Sequence, residues 1–158
     1  MGSFGTALKG SVVSDLAAIA ASSIGQLNFD NAFGEGGLGQ AGYVTAHAAL
    51  GCAASSASGT GCVGGAIGGA ASAALTPYAV IAITGGNPNV TPGRAAAIAV
   101  FATFAGGAAA GLAGQNAAAG ALAAQNEAIN SCLGHPESCM QLAKNGLSYL
   151  RGPDFVNF

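Results

Sequence analysis

From Gly36 to Gly93 the chain contains no Asp, Glu, Lys or Arg. Any fold proposed for this chain must account for so long a stretch without charge, because exposed soluble surface is normally dressed with it. Its centre, Ala46 to Pro77, holds two cysteines around a Ser/Ala/Gly spacer, each adjoining a segment rich in alanine and glycine. The arrangement predicts two closely packed helices pinned where they meet. Charge is scarce elsewhere too. Charged residues are 6% of the 158, against about 25% in ordinary soluble domains. Hydrophobic residues reach 51%, but most are alanine, and 27 residues are glycine. A core of such small side chains gains little area per contact. Close backbone approach must supply the rest.

Helical spacing recurs along the chain. Phe4, Leu8, Val12, Leu16 and Ile19 form a stripe that predicts an amphipathic helix from Thr6 to about Ser23 with its large side chains inward. Lys9 and Asp15 are expected off the stripe, and Gly25 to stop the helix. Residues 28–39 are expected to form a loop anchored by Phe29 and Phe33. A second helix, about Gly39–Ala54, places Tyr43, His47 and Leu50 on one face. A third starts near Cys62 and carries Gly64, Gly65, Gly68 and Gly69 as a small-residue face. Thr76-Pro77 has the form of a cap followed by proline, which suggests a new short helix turning away at 77, while the run Tyr78–Ile83 is also compatible with a strand. Gly85–Asn89 is a turn, and Thr91-Pro92 opens a further helix to about Ala113. That helix is the most apolar, with Gly107 and Gly111 on it. Another runs from Ala117 to about Leu133. A last one starts at Pro136-Glu137, with Lys144 in its final turn and Gly146 as its end, followed by a turn at Arg151–Asp154. The fold expected is all-α, a compact bundle of about six Gly/Ala-rich helices with short loops. Gly64, Gly68 and Gly69 are expected to meet the Pro92–Ala113 helix.

The four cysteines fall as local pairs, Cys52/Cys62 and Cys132/Cys139. Even number and short spacing suit disulfides between neighbours in an oxidising compartment. Free buried thiols are the alternative. No basic region or long apolar run opens the chain at Met1-Gly2-Ser3-Phe4, so no secretory signal is read there. Paired cysteines without a signal are expected in an internal piece of a longer exported chain.

The sequence offers little chemistry. The basic residues Lys9, Arg94, Lys144 and Arg151 are too scattered to form a phosphate-binding stripe, which excludes nucleic acid as a partner. Gly59–Gly64 spells G-x-G-x-x-G, but no strand precedes it and no acid follows at the required distance. His47, Cys52, Cys62, His135 and Cys139 show no metal-ligand spacing. Asp15, Asp30 and Glu35 read as solvated acids. No nucleophile is paired with a base in sequence. The expectation is therefore no enzyme, no cofactor, no metal and no small-molecule substrate. A membrane reading has more support. Ala95–Gly114 is uncharged and long enough to span a bilayer, and Gly64–Gly68 and Gly107–Gly111 are G-x-x-x-G pairs. Alanine and glycine nevertheless insert weakly, so stable insertion is not expected, and transient membrane contact is what the composition allows. A membrane-active Gly/Ala-zipper protein of holin or bacteriocin type is the alternative function.

His47-Ala-Ala-Leu-Gly-Cys52, Gly61-Cys62-Val-Gly-Gly-Ala66 and Ile67-Gly-Gly-Ala-Ala-Ser72, with the Gly/Ala-rich run Gly111–Asn130, resemble the pretoxin region of filamentous-haemagglutinin-like, two-partner-secreted exoproteins of contact-dependent growth inhibition. The resemblance covers roughly residues 1–133. Many members end this region in Val-Glu-Asn-Asn before a variable toxin. Here the corresponding place is Ala128-Ile129-Asn130-Ser131, and Asn126, Asn130 and Ser131 are the junction residues it implies. It also implies a non-catalytic, secreted or surface-borne module that supports delivery of a downstream toxin in the same polypeptide. On that reading residues 1–133 form the pretoxin-like domain, and 134–158 the junction and the start of the toxin segment.

Overall fold

The computed structural model describes residues 3–29 and 39–150. Six α-helices follow in order: α1 (Phe4–Phe29), α2 (Gly39–Ala57), α3 (Cys62–Thr84), α4 (Pro92–Leu112), α5 (Ala117–Glu127) and α6 (Pro136–Leu150). One π-helical turn, Ala128–Cys132, prolongs α5. No strand occurs among the described residues, and the chain forms the compact all-α bundle expected. The expected anchor Phe33 and the turn at Arg151–Asp154 lie outside the described residues, as does the side chain of Phe29.

Local chemistry sets several of the helix starts. Thr91 caps α4 by accepting the Arg94 N–H, with Pro92 in the first turn. Asn116 caps α5 by accepting the Ala119 N–H at 3.0 Å. The α3–α4 turn depends on Gly85 and Gly86, at φ +68° and +83°, a region that other residues enter only with strain. α3 is the central element, packed against α2, α4, α5 and α6.

Three expected helix ends are not ends. α1 runs on through Gly25, where an added Cβ would lie 2.6 Å from His135 Cδ2 and 3.0 Å from Ser131 Oγ. α6 runs on through Gly146, where a Cβ would lie 2.9 Å from Gln40 Oε1. Lys144 consequently stands inside the helix, and the last turn of α6 has no basic residue. Both glycines are points of close approach, and an isolated glycine within a helix that packs this tightly does not terminate it. α3 likewise passes through Pro77, which is buried within the helix. Proline removes one ladder hydrogen bond, at about 3 kcal/mol. Packing on both sides of α3 outweighs that loss. The Tyr78–Ile83 stretch is thus helical.

The helices meet at glycines. A Cβ on Gly68 would lie 2.5 Å from the Gly120 carbonyl carbon of α5. One on Gly64 would lie 2.6 Å from the Asn116 carbonyl oxygen, and one on Gly69 3.0 Å from the His47 carbonyl carbon. Gly51 and Gly65 face one another across α2 and α3 in the same way. The partners of the Gly64/Gly68/Gly69 face are therefore α5 and α2, not chiefly α4 as the sequence suggested. α4 enters the same crossing through Gly106, whose Cβ would lie 3.2 Å from the Gly68 carbonyl oxygen. Gly107 and Gly111 pack on Ala121 and Ala117 of α5.

Packing by absent side chains turns the bundle inside out. Alanine supplies most of the buried apolar positions among the described residues, including Ala17 and Ala21 of α1. The stripe expected to face inward, Phe4, Leu8, Val12, Leu16 and Ile19, faces outward, with Phe4 84% exposed. Asp15 is exposed as well; three residues from Val12 and four from Ile19, it shares their side of the helix. The reason is steric: α1 can lie close to α2 and the π-turn only on its Ala17–Ala21–Gly25 side. Of the larger buried apolar side chains, Val80, Ile98, Cys132, Cys139 and Met140 form one cluster, in which α6 shares its core with α3 and α4, and Tyr43 and Leu142 form a second with Ala73.

Both local cysteine pairs are joined. Cys52 bonds Cys62 across the α2–α3 turn, with Cα atoms 4.0 Å apart, and Cys132 bonds Cys139 between the π-turn and α6, at 5.1 Å. Closing loops of these sizes contributes about 2–3 kcal/mol each. Replacing either pair by serine is expected to lower the unfolding free energy by that amount in denaturant titration. Cys132 and Cys139 are both buried, whereas Cys52 and Cys62 are half-buried. Timed reduction and peptide mapping should therefore open Cys52–Cys62 first. Equal rates would contradict the buried placement of the second pair.

Candidate functional site

Three helix segments each bring two polar residues, one turn apart, to a common centre. Tyr43 and His47 come from α2, Ser72 and Thr76 from α3, and Glu127 and Ser131 from the end of α5 and the π-turn. All six are buried, and Glu127 is fully so. They can meet because the Gly51/Gly65, Gly69/His47 and Gly68/Gly120 approaches draw the three backbones together. The π-turn closes with the Leu133 N–H donating to the Ala128 carbonyl at 2.9 Å, and Glu127 and Ser131 on either side of its start both reach Tyr43.

The hydrogen bonds form one network. Tyr43 OH donates to Glu127 Oε1 at 2.6 Å and lies 2.8 Å from Ser131 Oγ. Ser131 Oγ is in turn 3.1 Å from His47 Nε2. Ser72 bonds the other carboxyl oxygen, Glu127 Oε2. It also lies 2.9 Å from Thr76 Oγ1 and 3.0 Å from the Ala124 carbonyl. The rings of Tyr43 and His47 stand edge to face, with centroids 4.7 Å apart.

Burial governs the protonation states. It raises the Glu127 carboxyl to about 6, against the hydrogen bonds from Ser72, Tyr43 and Thr76 that favour the ionised form. It lowers the His47 imidazole to about 3. It also holds the Tyr43 phenol well above its ordinary value, with the neighbouring Glu127 charge acting in the same direction. Neutral His47, a protonated Tyr43 donor and a carboxyl that changes charge near pH 6 are the result. Ser131 and His47 have the spacing of a nucleophile and its base. A base with a pKa near 3 accepts no proton at neutral pH, and the carboxyl is joined to Tyr43 instead of to the imidazole.

Beside this centre is a cavity of about 280 Å³, lined by α1, α2, α5 and the π-turn, with Ser14, His47, Asn126 and Asn130 among its polar walls. Asn126 donates to the Ala17 carbonyl at 3.0 Å, and Asn130 donates to Asn126 at 2.8 Å. The residues expected at a junction thus divide: Asn126 and Asn130 border the cavity, while Ser131 belongs to the polar network. Gly64, Gly68 and Gly69 lie behind the network as its packing points, and Gly107 and Gly111 are on the α4–α5 contact. Among the described residues no group of three or more His, Cys, Asp or Glu is placed to hold a metal ion.

Sequence reasoning placed Tyr43 and His47 on one face but missed Ser72, Thr76 and Glu127 as their partners. A signal was available. Glu127 is the only acid between Glu35 and Glu137, and it sits in a helix otherwise made of Ala, Gly, Leu, Gln and Asn. A lone acid in such a segment must be solvated or partnered, and here it is partnered.

The fold and this network define an all-α protein with a disulfide-pinned helix pair and a buried polar centre. Residues 1–69 match the model of a family described as "Possible hemagglutinin (DUF637)". The matched part takes in α1, α2, the Cys52–Cys62 bridge and the glycine face of α3 as far as Gly69, and it fits a haemagglutinin-like region. No curated protein and no solved structure matches the chain.

Proposed function

We propose that this chain is a non-catalytic pretoxin module of a secreted or surface-borne bacterial exoprotein, one that supports export or delivery of a toxin carried after it in the same polypeptide. The observation that carries the reading is the haemagglutinin-family match over residues 1–69, joined to the cysteine, histidine and glycine order that resembles pretoxin regions. The chemistry of the polar network agrees with it. The network is buried, its histidine is neutral and its serine hydroxyl is engaged, as suits a centre that holds helices in register. Two bridges of short span suit a chain that matures outside the reducing cytosol.

The test uses the parent exoprotein and the isolated chain. Deleting residues 46–133 from the parent is expected to abolish delivery of a toxin fused after Phe158, with the toxin itself still active when made inside target cells. Residues 1–158 made alone in the bacterial cytosol are expected to leave growth unchanged. Undiminished delivery after the deletion would overturn the proposal. Growth arrest by the isolated chain would also overturn it, and membrane leakage at arrest would favour the membrane-active alternative.

A further inference from the structure

The outer face of α4 is an uncovered apolar surface that carries charge only at its N-terminal end. Val100 is 68% exposed, Phe104 74% and Leu112 91%, and Phe101 is exposed beside them. Ala96 and Ala97 continue the face toward the N-terminus. The only hydroxyl on the helix, that of Thr103, donates back to the Ala99 carbonyl at 2.7 Å, so the helix presents no unsatisfied side-chain polar group from Ala95 to Leu112. Arg94 stands exposed at its start. It is the only charged residue between Glu35 and Glu127.

We propose that this face is a lipid-contacting surface, through which the folded domain rests on an anionic bilayer with α4 along the membrane interface. Three properties favour lipid over a protein partner. Protein interfaces carry a polar rim and regularly spaced hydrogen bonds, and this face offers neither. α3 and α4 are both long and apolar enough to cross a membrane by length and composition, so the hydrocarbon boundary is a solvent that their composition tolerates. The charge is also complementary: Arg94 is seven residues from Phe101, two turns along the same side of the helix, and the whole stretch from 36 to 126 has no acid to repel a phosphate headgroup. Large side chains outside and small ones inside are what such a surface needs, since Phe, Val and Leu gain from the acyl boundary while Gly and Ala hold the helices together. This goes beyond the delivery role, and the assay below contains no toxin, so either proposal can fail without the other.

The protein has no tryptophan, so Phe104→Trp in the full chain gives a single reporter. Leu147→Trp on α6 is the control. On vesicles of equal parts phosphatidylcholine and phosphatidylglycerol, emission from position 104 is expected to shift to the blue and to be quenched by acyl-brominated lipid, while position 147 changes little. Arg94→Gln is expected to remove the preference for phosphatidylglycerol over phosphatidylcholine alone. In flotation, Val100→Ser with Phe104→Ser should lower vesicle binding at least about tenfold, with an unchanged unfolding transition because both side chains are exposed. An emission spectrum indifferent to vesicles would overturn the proposal. So would vesicle binding that survives the serine pair. A blue shift that needs no vesicles and grows with protein concentration would assign the face to a second copy of the chain instead.

Discussion

Leucine at position 68 is expected to cost at least about 3 kcal/mol of unfolding free energy, much of the 5–15 kcal/mol that stabilises a typical domain. Even a methyl group there would lie 2.5 Å from the Gly120 carbonyl carbon and closer still to the Gly120 α carbon and carbonyl oxygen. Real Cβ atoms do not approach backbone so closely, and backbone in the middle of a helix cannot swing aside as a side-chain tip can. The crossing of α3, α4 and α5 would have to open. Gly10→Ala supplies the contrast. Nothing lies within 4 Å of its added carbon, so the helix gains alanine's propensity, about 0.5–1 kcal/mol. Denaturant titration of both variants tests the architecture. A Gly68→Leu protein that unfolds with the parent would show that α3 and α5 do not cross here.

Removing the Glu127 side chain as Glu127→Ala is expected to cost about 3–5 kcal/mol. It strands the hydroxyls of Tyr43 and Ser72 and leaves a hole among buried groups. The same centre sets an unusual pH response. The folded pKa of Glu127, about 6, is above its unfolded value of 4.5, so its contribution is full below pH 4.5 and is lost as pH rises through about 6. His47 acts oppositely. Its folded value of about 3 is below the unfolded 6.5, so stability is full above pH 6.5 and is lost as pH falls toward 3. Between pH 7 and pH 5, acidification costs about 2 kcal/mol through His47 and returns about 1 kcal/mol through Glu127. The parent should lose only about 1 kcal/mol over that interval. Glu127→Gln should lose about 2 kcal/mol, and His47→Gln should gain about 1 kcal/mol. Parallel pH profiles for the three proteins would disprove the opposed titrations.

The legibility of this sequence followed the size of its side chains. Caps and turns could be read because their chemistry is local: Thr91 before Pro92, Asn116 before the alanines, and the glycine pair at 85–86. Inward and outward faces could not. Hydrophobic periodicity marks where Phe4, Leu8, Val12 and Leu16 lie, and in most proteins that side is buried. Here the buried side is the one with Ala17, Ala21 and Gly25, which a hydropathy pattern records only weakly. Gly25 and Gly146 were misread for the same reason, as stops when they are contacts. The expected pairing of cysteines rested on their even number and short separations, and the structure joins them so. Glu127 stayed hidden because its partners, Tyr43 and Ser72, are 84 and 55 residues away, a distance no local pattern spans. The His/Gly/Cys order of residues 47–72 carries the resemblance, which alanine content does not, and the haemagglutinin-family match over residues 1–69 overlaps most of it.

The two bridges span only ten and seven positions of sequence. Pulled from its ends, the oxidised polypeptide would still extend to all but roughly a tenth of its contour length, because each bridge withholds only one small loop. A bond between α1 and α6 would instead have gathered most of the chain into a ring that has to pass any narrow opening as a doubled strand. With both bonds closed, this protein remains a single thread with two small beads on it.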